Sequence, residues 1–225
     1  MTAVVVTDDV DLLVANEVPL TGPPVASRLI DAGYVGRYLE ERHSQYYKFE
    51  SRNRSGFEVE FLTPSPPEER RESLVVQSGL RAQALPGLDF LLTNKVEARV
   101  RDRVDNTAVN LTIGVPVPGA FILNKLFSYL NPIGGADRRK DIYYVFQAVR
   151  NLPLDKRATA SEINACLDSR LITDLSSGLS PLFADEYSTG TRDIVNQLTD
   201  LDMPERDKRL LVYLEMNELL DAISS

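Results

Sequence analysis

The segment VVVTDDVDLLVANEVPL, residues 4–20, places three acids inside a run of Val and Leu. Its alternation of apolar and polar side chains predicts a β-strand over residues 3–14. Asp9 and Asp11 then share one face of the strand, because successive strand side chains point to opposite faces. Asp8 lies on the apolar face, and we assign it no role. A buried charge is costly unless it is paired or bound to a cation, so this strand raises the question of what its acids bind.

A predicted hairpin downstream offers further carboxylates. SQYYKFESRNRSGFEVEFLTP, residues 44–64, has aromatic strands on both sides of an NRSG turn. In its second strand, Glu58 and Glu60 share the polar face, and this strand could pair beside the first one. Carboxylates two residues apart on a strand are about 7 Å apart along the chain. Mg²⁺ prefers one or two carboxylates together with substrate phosphates, although a D-x-D pattern by itself is more often a polar strand edge.

The remaining elements divide into strands followed by helices. A short helix is predicted between Pro24 and Gly33, and residues 64–87 are predicted as a proline-rich loop with weak helix signal. LDFLLTN, VEARVRD and NTAVNLTIGVPVP are predicted as strands. Helices are predicted for PGAFILNKLFSYL and KDIYYVFQAVRNL, with NPIGGADRR as a loop between them, and the chain is predicted to be helical from residue 155.

This order of elements indicates an α+β fold. We expect a mixed or antiparallel sheet with flanking helices over residues 1–117, and a helical domain over residues 118–225. The 225 residues carry a net charge of -8, so no extended nucleic-acid surface is indicated. The single cysteine and the single histidine, His43, argue against a disulfide framework and a zinc site. Without a signal peptide or a long apolar segment, the protein is expected in the cytoplasm and not in a membrane.

Two segments resemble a known group of enzymes. TDDVDLLV resembles the T-x-D-[IV]-D-L segment of the DNA polymerase β-like nucleotidyltransferase superfamily. Residues 115–149 resemble a second family segment, in which a proline-led helix carries a Lys-Leu pair and a Lys-Asp pair opens the next helix. The resemblance extends over about residues 5–150. Within the superfamily, the chain resembles the bacterial nucleotidyltransferase-fold proteins, a group that includes the toxins of abortive-infection type II toxin–antitoxin pairs. It implies a nucleotidyltransferase-type sheet and an NTP as substrate.

The resemblance also implies roles for particular acids. Asp9 and Asp11 match the metal-binding D-x-D of the family, and Glu60 falls where a third carboxylate is common, usually as Asp. These three residues would bind Mg²⁺ and act in catalysis.

Four residues of the second segment match phosphate-binding positions. Lys125 matches the helix lysine, and Asp141 matches the acid of the Lys-Asp pair, with Arg139 and Lys140 near the phosphates. Other interpretations stay open, because Lys125 could be a solvated surface lysine and an acid such as Asp141 is favoured by the helix dipole in any first turn.

Two functional hypotheses follow. The first is a metal-dependent enzyme that transfers a nucleotidyl group from an NTP to an acceptor hydroxyl, on RNA or on protein. The second is a catalytically degenerate member that acts as a binding module. The second is favoured by the missing Gly-Ser motif that the family has upstream of the D-x-D, since only eight residues precede Asp9. We expect either a start further upstream or a truncated N-terminal part.

Overall fold

The computed structural model describes residues 9–224, except for 42–43, 54–55, 66–72, 86, 105–106, 131–137, 152–154 and 200. His43, the predicted strand residues 3–8 and most of the predicted NPIGGADRR loop therefore lie outside the described residues. The chain forms two compact units, Met1–Thr93 and Asn94–Ser225. The predicted domain boundary at residue 117 stays a prediction; the two units divide earlier, ahead of the last β-hairpin.

The N-terminal unit is built around a mixed sheet. Its elements are β1 (Asp9–Leu13), α1 (Val25–Asp31), β2 (Tyr34–Glu41), β3 (Ser44–Ser51), β4 (Glu58–Pro64), β5 (Ser73–Gln77), β6 (Leu80–Leu85) and α2 (Asp89–Thr93). Strand β4 pairs with three neighbours: β1 and β6 are parallel to it, and β3 is antiparallel. Strand β2 pairs with β3, and β5 pairs with β6. The predicted α+β class and the mixed sheet are confirmed.

Alternation in the sequence decides which side of this sheet is buried. In β4, Val59, Phe61 and Thr63 are buried, while the residues between them are less so. Phe49 of β3 packs with Val59 and Phe61, and Ala26 of α1 joins the same core. The predicted hairpin and the predicted helix α1 are both confirmed. The polar side chains of β1, β3 and β4 consequently face away from the core.

Two predictions in this unit are wrong. Residues 73–85 form the antiparallel strands β5 and β6, not a loop, because LRAQAL buries alternate residues and Gly79 turns the chain at φ +75°. LDFLLTN forms the short helix α2, not a strand. Gly87, at φ +76°, turns the chain before Asp89, and the Thr93 hydroxyl donates to the Asp89 carbonyl oxygen at 2.7 Å, within one helical turn.

The C-terminal unit begins with a long β-hairpin and continues as helices. Its elements are β7 (Lys95–Val104), β8 (Thr107–Pro116), α3 (Pro118–Leu130), α4 (Arg139–Asn151), α5 (Lys156–Ala165), α6 (Ser169–Leu179), a 3-10 helix (Ser180–Phe183), α7 (Thr189–Val195) and α8 (Glu205–Ile223). The predicted strands, the two predicted helices and the helical character after residue 155 are confirmed. No helix within the described ranges is both long and apolar enough to cross a membrane.

Helix α3 is fixed against its neighbours by its apolar face. Ile122, Leu123 and Leu126 of α3 are fully buried, as are Ile142 and Phe146 of α4. Near the start of α3, the Gly119 amide donates to Oε2 of Glu162 in α5 at 2.8 Å. A Cβ at position 119 would lie 2.8 Å from the Thr159 carbonyl oxygen, so only glycine allows this approach. The buried contacts and this close approach hold α3 in place, and with it Lys125.

Candidate active site

The sheet of the N-terminal unit brings the predicted acids together. In the parallel pairing of β1 with β4, Asp9 lies opposite Glu58 and Asp11 lies opposite Glu60. Opposed residues of neighbouring strands point to the same face. Asp9 and Asp11 are exposed, whereas the side chain of Glu60 retains only 17% of its exposure. The strand with Glu58 and Glu60 therefore does lie beside the first strand, on one shared face.

Strand β3 adds a lysine to the same face. Lys48 lies opposite Glu60 in the antiparallel pairing of β3 with β4. Its Nζ lies 2.7 Å from Oε1 of Glu60 and also forms an ion pair with Glu58. Partial burial by itself lowers the pKa of Lys48, but hydrogen bonds and charge attraction from Glu58 and Glu60 outweigh it and raise the pKa above its ordinary value. Lys48 is thus a protonated ammonium held between two carboxylates.

We call this surface the acidic face, defined by Asp9, Asp11, Glu50, Glu58 and Glu60 together with Arg37 and Lys48. Arg37 lies opposite Lys48 and its guanidinium contacts Glu50 at 2.8 Å. Counted over these seven described residues, five carboxylates share the face with two cations, an excess of three negative charges. Such an excess favours binding of a cation from solution.

The donor chemistry of the acidic face fits Mg²⁺ better than any softer metal, because every candidate ligand is a carboxylate oxygen. The described residues contain no group of three His, Cys, Asp or Glu side chains close enough to hold an ion by themselves. Mg²⁺ commonly needs only one or two carboxylates, with phosphates and water as the other ligands. Asp9 and Asp11 meet that requirement, with Glu60 opposite Asp11.

The C-terminal unit contains a second charged group, where helix α3 meets the start of α4. Lys125 of α3 donates from Nζ to Oδ1 of Asp141 at 3.1 Å. Arg138, just before α4, contacts the other oxygen, Oδ2, at 3.5 Å. Only 10% of the Asp141 side chain is exposed. Both oxygens of this carboxylate are therefore engaged by cations.

An aromatic ring lies near two cations of this second group. The ring of Tyr144 lies 5.6 Å from Nζ of Lys125 and 5.4 Å from Nζ of Lys140. The ring of Phe121 lies 6.0 Å from Nζ of Lys125. Cations at these distances are attracted by the electron-rich faces of aromatic rings. The rings therefore stabilise the ammonium groups of Lys125 and Lys140.

We call this group the cationic cluster, defined by Lys125, Arg138 and Lys140 around Asp141. Arg139, the first residue of α4, is exposed beside it. Counted over these described residues, the cluster has three cations for one buried acid, an excess of two positive charges that suits an anion such as a phosphate. Its Asp141 also stands in the first turn of α4, where the helix dipole favours an acid.

Comparison with known proteins gives the chain its family. A model of the family described as nucleotidyltransferase matches residues 2–152, about two thirds of the chain. The protein belongs to the nucleotidyltransferase family. No curated protein and no solved structure matches the chain. The matched region includes both the acidic face and the cationic cluster, so nucleotidyl transfer with an NTP as substrate is the function that the family supports.

Sequence reasoning missed three residues of the nucleotidyltransferase that contact predicted site residues. Lys48 was assigned no role in the site. The alternation in KFE nevertheless places Lys48 and Glu50 on the same face of their strand. Arg138 was passed over in favour of the arginine that follows it. Tyr144 is only half-buried, and its ring contacts two lysines.

Proposed function

We propose that this nucleotidyltransferase is metal-dependent and transfers a nucleotidyl group from an NTP to an acceptor hydroxyl. The observation that carries the proposal is the pairing of Asp9 and Asp11 with Glu58 and Glu60 across β1 and β4, inside the region that matches the family. That pairing supports a cation-binding face made of oxygen ligands. The roles of the individual residues below are part of the proposal.

Asp9, Asp11 and Glu60 are assigned to Mg²⁺. The ion would neutralise phosphate charge as the bond to the leaving group breaks. The exposure of the two aspartates allows a nucleotide to approach them. The less exposed Glu60 is held in position by Lys48 through Oε1, and its other oxygen is the one that we assign to the ion.

Lys125, Arg139 and Lys140 are assigned to the triphosphate. Lysine is a compact point charge that binds phosphate oxygens well. Asp141 has both oxygens engaged by Lys125 and Arg138, and a carboxylate would repel a phosphate. We therefore assign Asp141 the role of a positioning residue, which holds the ammonium group of Lys125 in place.

The transfer step is an in-line displacement at the α-phosphorus. The acceptor oxygen forms a bond to the α-phosphorus, and its proton passes to a carboxylate of the acidic face. The bond from the α-phosphorus to the bridging oxygen breaks, and pyrophosphate leaves with that electron pair. Positioning and electrostatic stabilisation supply most of the rate in such reactions.

The acceptor is an RNA or a protein hydroxyl, and the resemblance to toxin–antitoxin proteins favours RNA. The net charge of -8 argues for a small RNA contact, because extended phosphate binding requires many cations. A toxin of this kind would arrest growth when it is expressed alone. The same expression with Asp9→Ala plus Asp11→Ala should leave growth unaffected.

Labelling with NTPs tests the enzyme directly. The protein is incubated with each NTP labelled at the α-phosphate, with Mg²⁺, and with total cellular RNA or protein as acceptor. We expect label in one acceptor class with the unchanged chain, and none with Asp9→Ala plus Asp11→Ala. Asp31→Ala, an exposed acid at the end of α1, is the matched control and should label normally. Equal labelling by the double variant would refute the assigned site.

One observation favours the second candidate, a degenerate binding module. Lys48 already neutralises part of the acidic face, since it pairs with both Glu58 and Glu60. A module of this kind would bind neither ion nor nucleotide. Thermal unfolding with Mg²⁺ and ATP separates the candidates, because a ligand that binds only the folded state raises the unfolding temperature. A rise that is lost in Asp9→Ala plus Asp11→Ala supports the enzyme, and no rise supports the module.

A further inference from the structure

We infer that Lys48 occupies the position beside Glu60 that a second divalent ion would otherwise take, so that the acidic face binds a single divalent ion, at Asp9 and Asp11 with the other oxygen of Glu60. This inference rests on the proposed function, because it concerns how many ions that site uses. It identifies Lys48 as a positioning residue that nothing in the D-x-D pattern predicts.

The position of Lys48 follows from the register of three strands. Asp11, Glu60 and Lys48 lie directly opposite one another on β1, β4 and β3, in one row across the sheet. Glu60 is therefore flanked by an aspartate on one side and by an ammonium on the other. A second ion that bound Glu60 opposite the first ion would lie on the side of Glu60 away from β1. Here that side is the one that Lys48 approaches, at 2.7 Å.

The contacts of Lys48 make it hard to displace. Its Nζ pairs with Glu58 as well as Glu60, and only 20% of its side chain is exposed. Two ions that act together in phosphoryl transfer lie about 3.5–4 Å apart and share carboxylate ligands. An ammonium that already contacts the shared carboxylate would repel a divalent ion brought to the same oxygens. Asp9 and Asp11, in contrast, are exposed and lie on the far side of Glu60 from Lys48.

Counting bound Mn²⁺ tests the inference without any need for turnover. The full chain is titrated with Mn²⁺ alone, and the unbound ion is measured by electron paramagnetic resonance. We expect one Mn²⁺ for each unchanged chain and two for Lys48→Met, which keeps an unbranched side chain of similar size and removes its charge. Lys48→Arg should again bind one. Circular dichroism checks that each variant is folded.

Arg37→Met is the matched control. Arg37 is the other cation of the acidic face, but it contacts Glu50 and not Glu60. Its loss should leave one bound Mn²⁺, which would show that a general loss of positive charge does not create the second site.

The outcomes separate this inference from the proposed function. Two Mn²⁺ on the unchanged chain would overturn the inference, and this needs no variant to fold. One Mn²⁺ on folded Lys48→Met would overturn it as well. In both cases the metal-binding role of Asp9 and Asp11 would survive, provided that Asp9→Asn plus Asp11→Asn reduces the count. No bound Mn²⁺ on the unchanged chain would overturn the proposed metal dependence itself, and the inference with it.

Discussion

The acidic face and the cationic cluster are built in opposite ways. On the acidic face, Lys48 is a half-buried cation between two carboxylates, on a surface with an excess of negative charge. In the cationic cluster, Asp141 is a buried carboxylate between two cations, in a group with an excess of positive charge. In each, a central charge contacts two side chains of the opposite sign. The remaining charge is the basis on which we propose a metal ion for one group and phosphate for the other.

The supporting structures also differ. The acidic face lies on adjacent strands, where the fixed register sets the spacing of its side chains. The cationic cluster spans two helices and is held by long side chains against aromatic rings. An aspartate side chain is short, so the register of the strands largely fixes where its carboxylate lies. A lysine on a helix can follow a flexible triphosphate, which suits a longer and softer ligand.

The largest expected effect separates the two glutamates that Lys48 contacts. Glu60→Gln should lower nucleotidyl transfer by about 100-fold, since a charged ligand contact is worth about 1.5–3 kcal/mol. Glu58→Gln should lower it by less than about 3-fold, because an amide oxygen can still accept from Lys48 and a partly exposed ion pair is worth about 1 kcal/mol or less. The measurement is the rate of transfer from labelled NTP at saturating Mg²⁺. Equal losses in the two variants would mean that both glutamates act by holding Lys48 and that neither one binds the metal ion.

For both the acidic face and the cationic cluster, sequence patterns predict only those neighbours that lie within one strand or one helix. Alternation within a strand places Asp9 with Asp11, and a helical period places Phe121 beside Lys125. The parallel register of β1 on β4 depends on pairing between distant segments, so the row that includes Lys48 could not be derived in advance. Similarly, the contact of Lys125 with Asp141 spans 16 residues and depends on how α3 packs on α4.

The wrong predictions have a related cause. LDFLLTN is a short apolar run, and such runs do not distinguish a strand from a helix by period alone. The β5–β6 hairpin comes directly after several prolines and the charged run EERRES. These residues are typical of loops, so the whole segment was predicted as a loop. In both places, a glycine with positive φ decides where the chain turns, and glycine identity does not reveal its φ.

The next effect tests the cationic cluster alone. Lys125→Met should raise the KM for NTP and lower kcat/KM by about 30-fold, because a charged hydrogen bond to phosphate is worth about 2 kcal/mol. Binding of Mn²⁺ in the absence of nucleotide should not change. Lys95→Met, an exposed lysine of β7, is the matched control and should leave both values unaltered. A loss of Mn²⁺ binding in Lys125→Met would contradict the division of ligands between the two groups.

A smaller effect is expected from the acid that positions Lys125. Asp141→Asn should lower kcat/KM for NTP by about 10-fold, because an amide holds the lysine less firmly than a carboxylate does, at a difference of about 1.4 kcal/mol. The unfolding temperature should also fall, since Arg138 loses its charged partner.

Asp193→Asn is the control for that loss of stability. Asp193 accepts a hydrogen bond from the Tyr129 hydroxyl at 2.7 Å in the same unit, and burial and this carboxylate raise the pKa of Tyr129. Its variant should lower the unfolding temperature and leave the KM for NTP unchanged. If both variants changed KM alike, the role of Asp141 would be structural only.

The smallest effect concerns the exposed cations at the start of α4. Lys140→Met and Arg139→Met should each lower kcat/KM by about 2-fold to 3-fold, because exposed charges are screened by salt and contribute about 0.2–1 kcal/mol. Lys140 still has the ring of Tyr144 as support, but its side chain is more exposed than that of Lys125. Measuring KM at low and high salt should show these two losses shrinking as salt rises, while the loss in Lys125→Met persists. The loss of kcat/KM in Lys140→Met could instead be as large and as salt-resistant as that in Lys125→Met. This outcome would mean that phosphate is bound mainly at the first turn of α4.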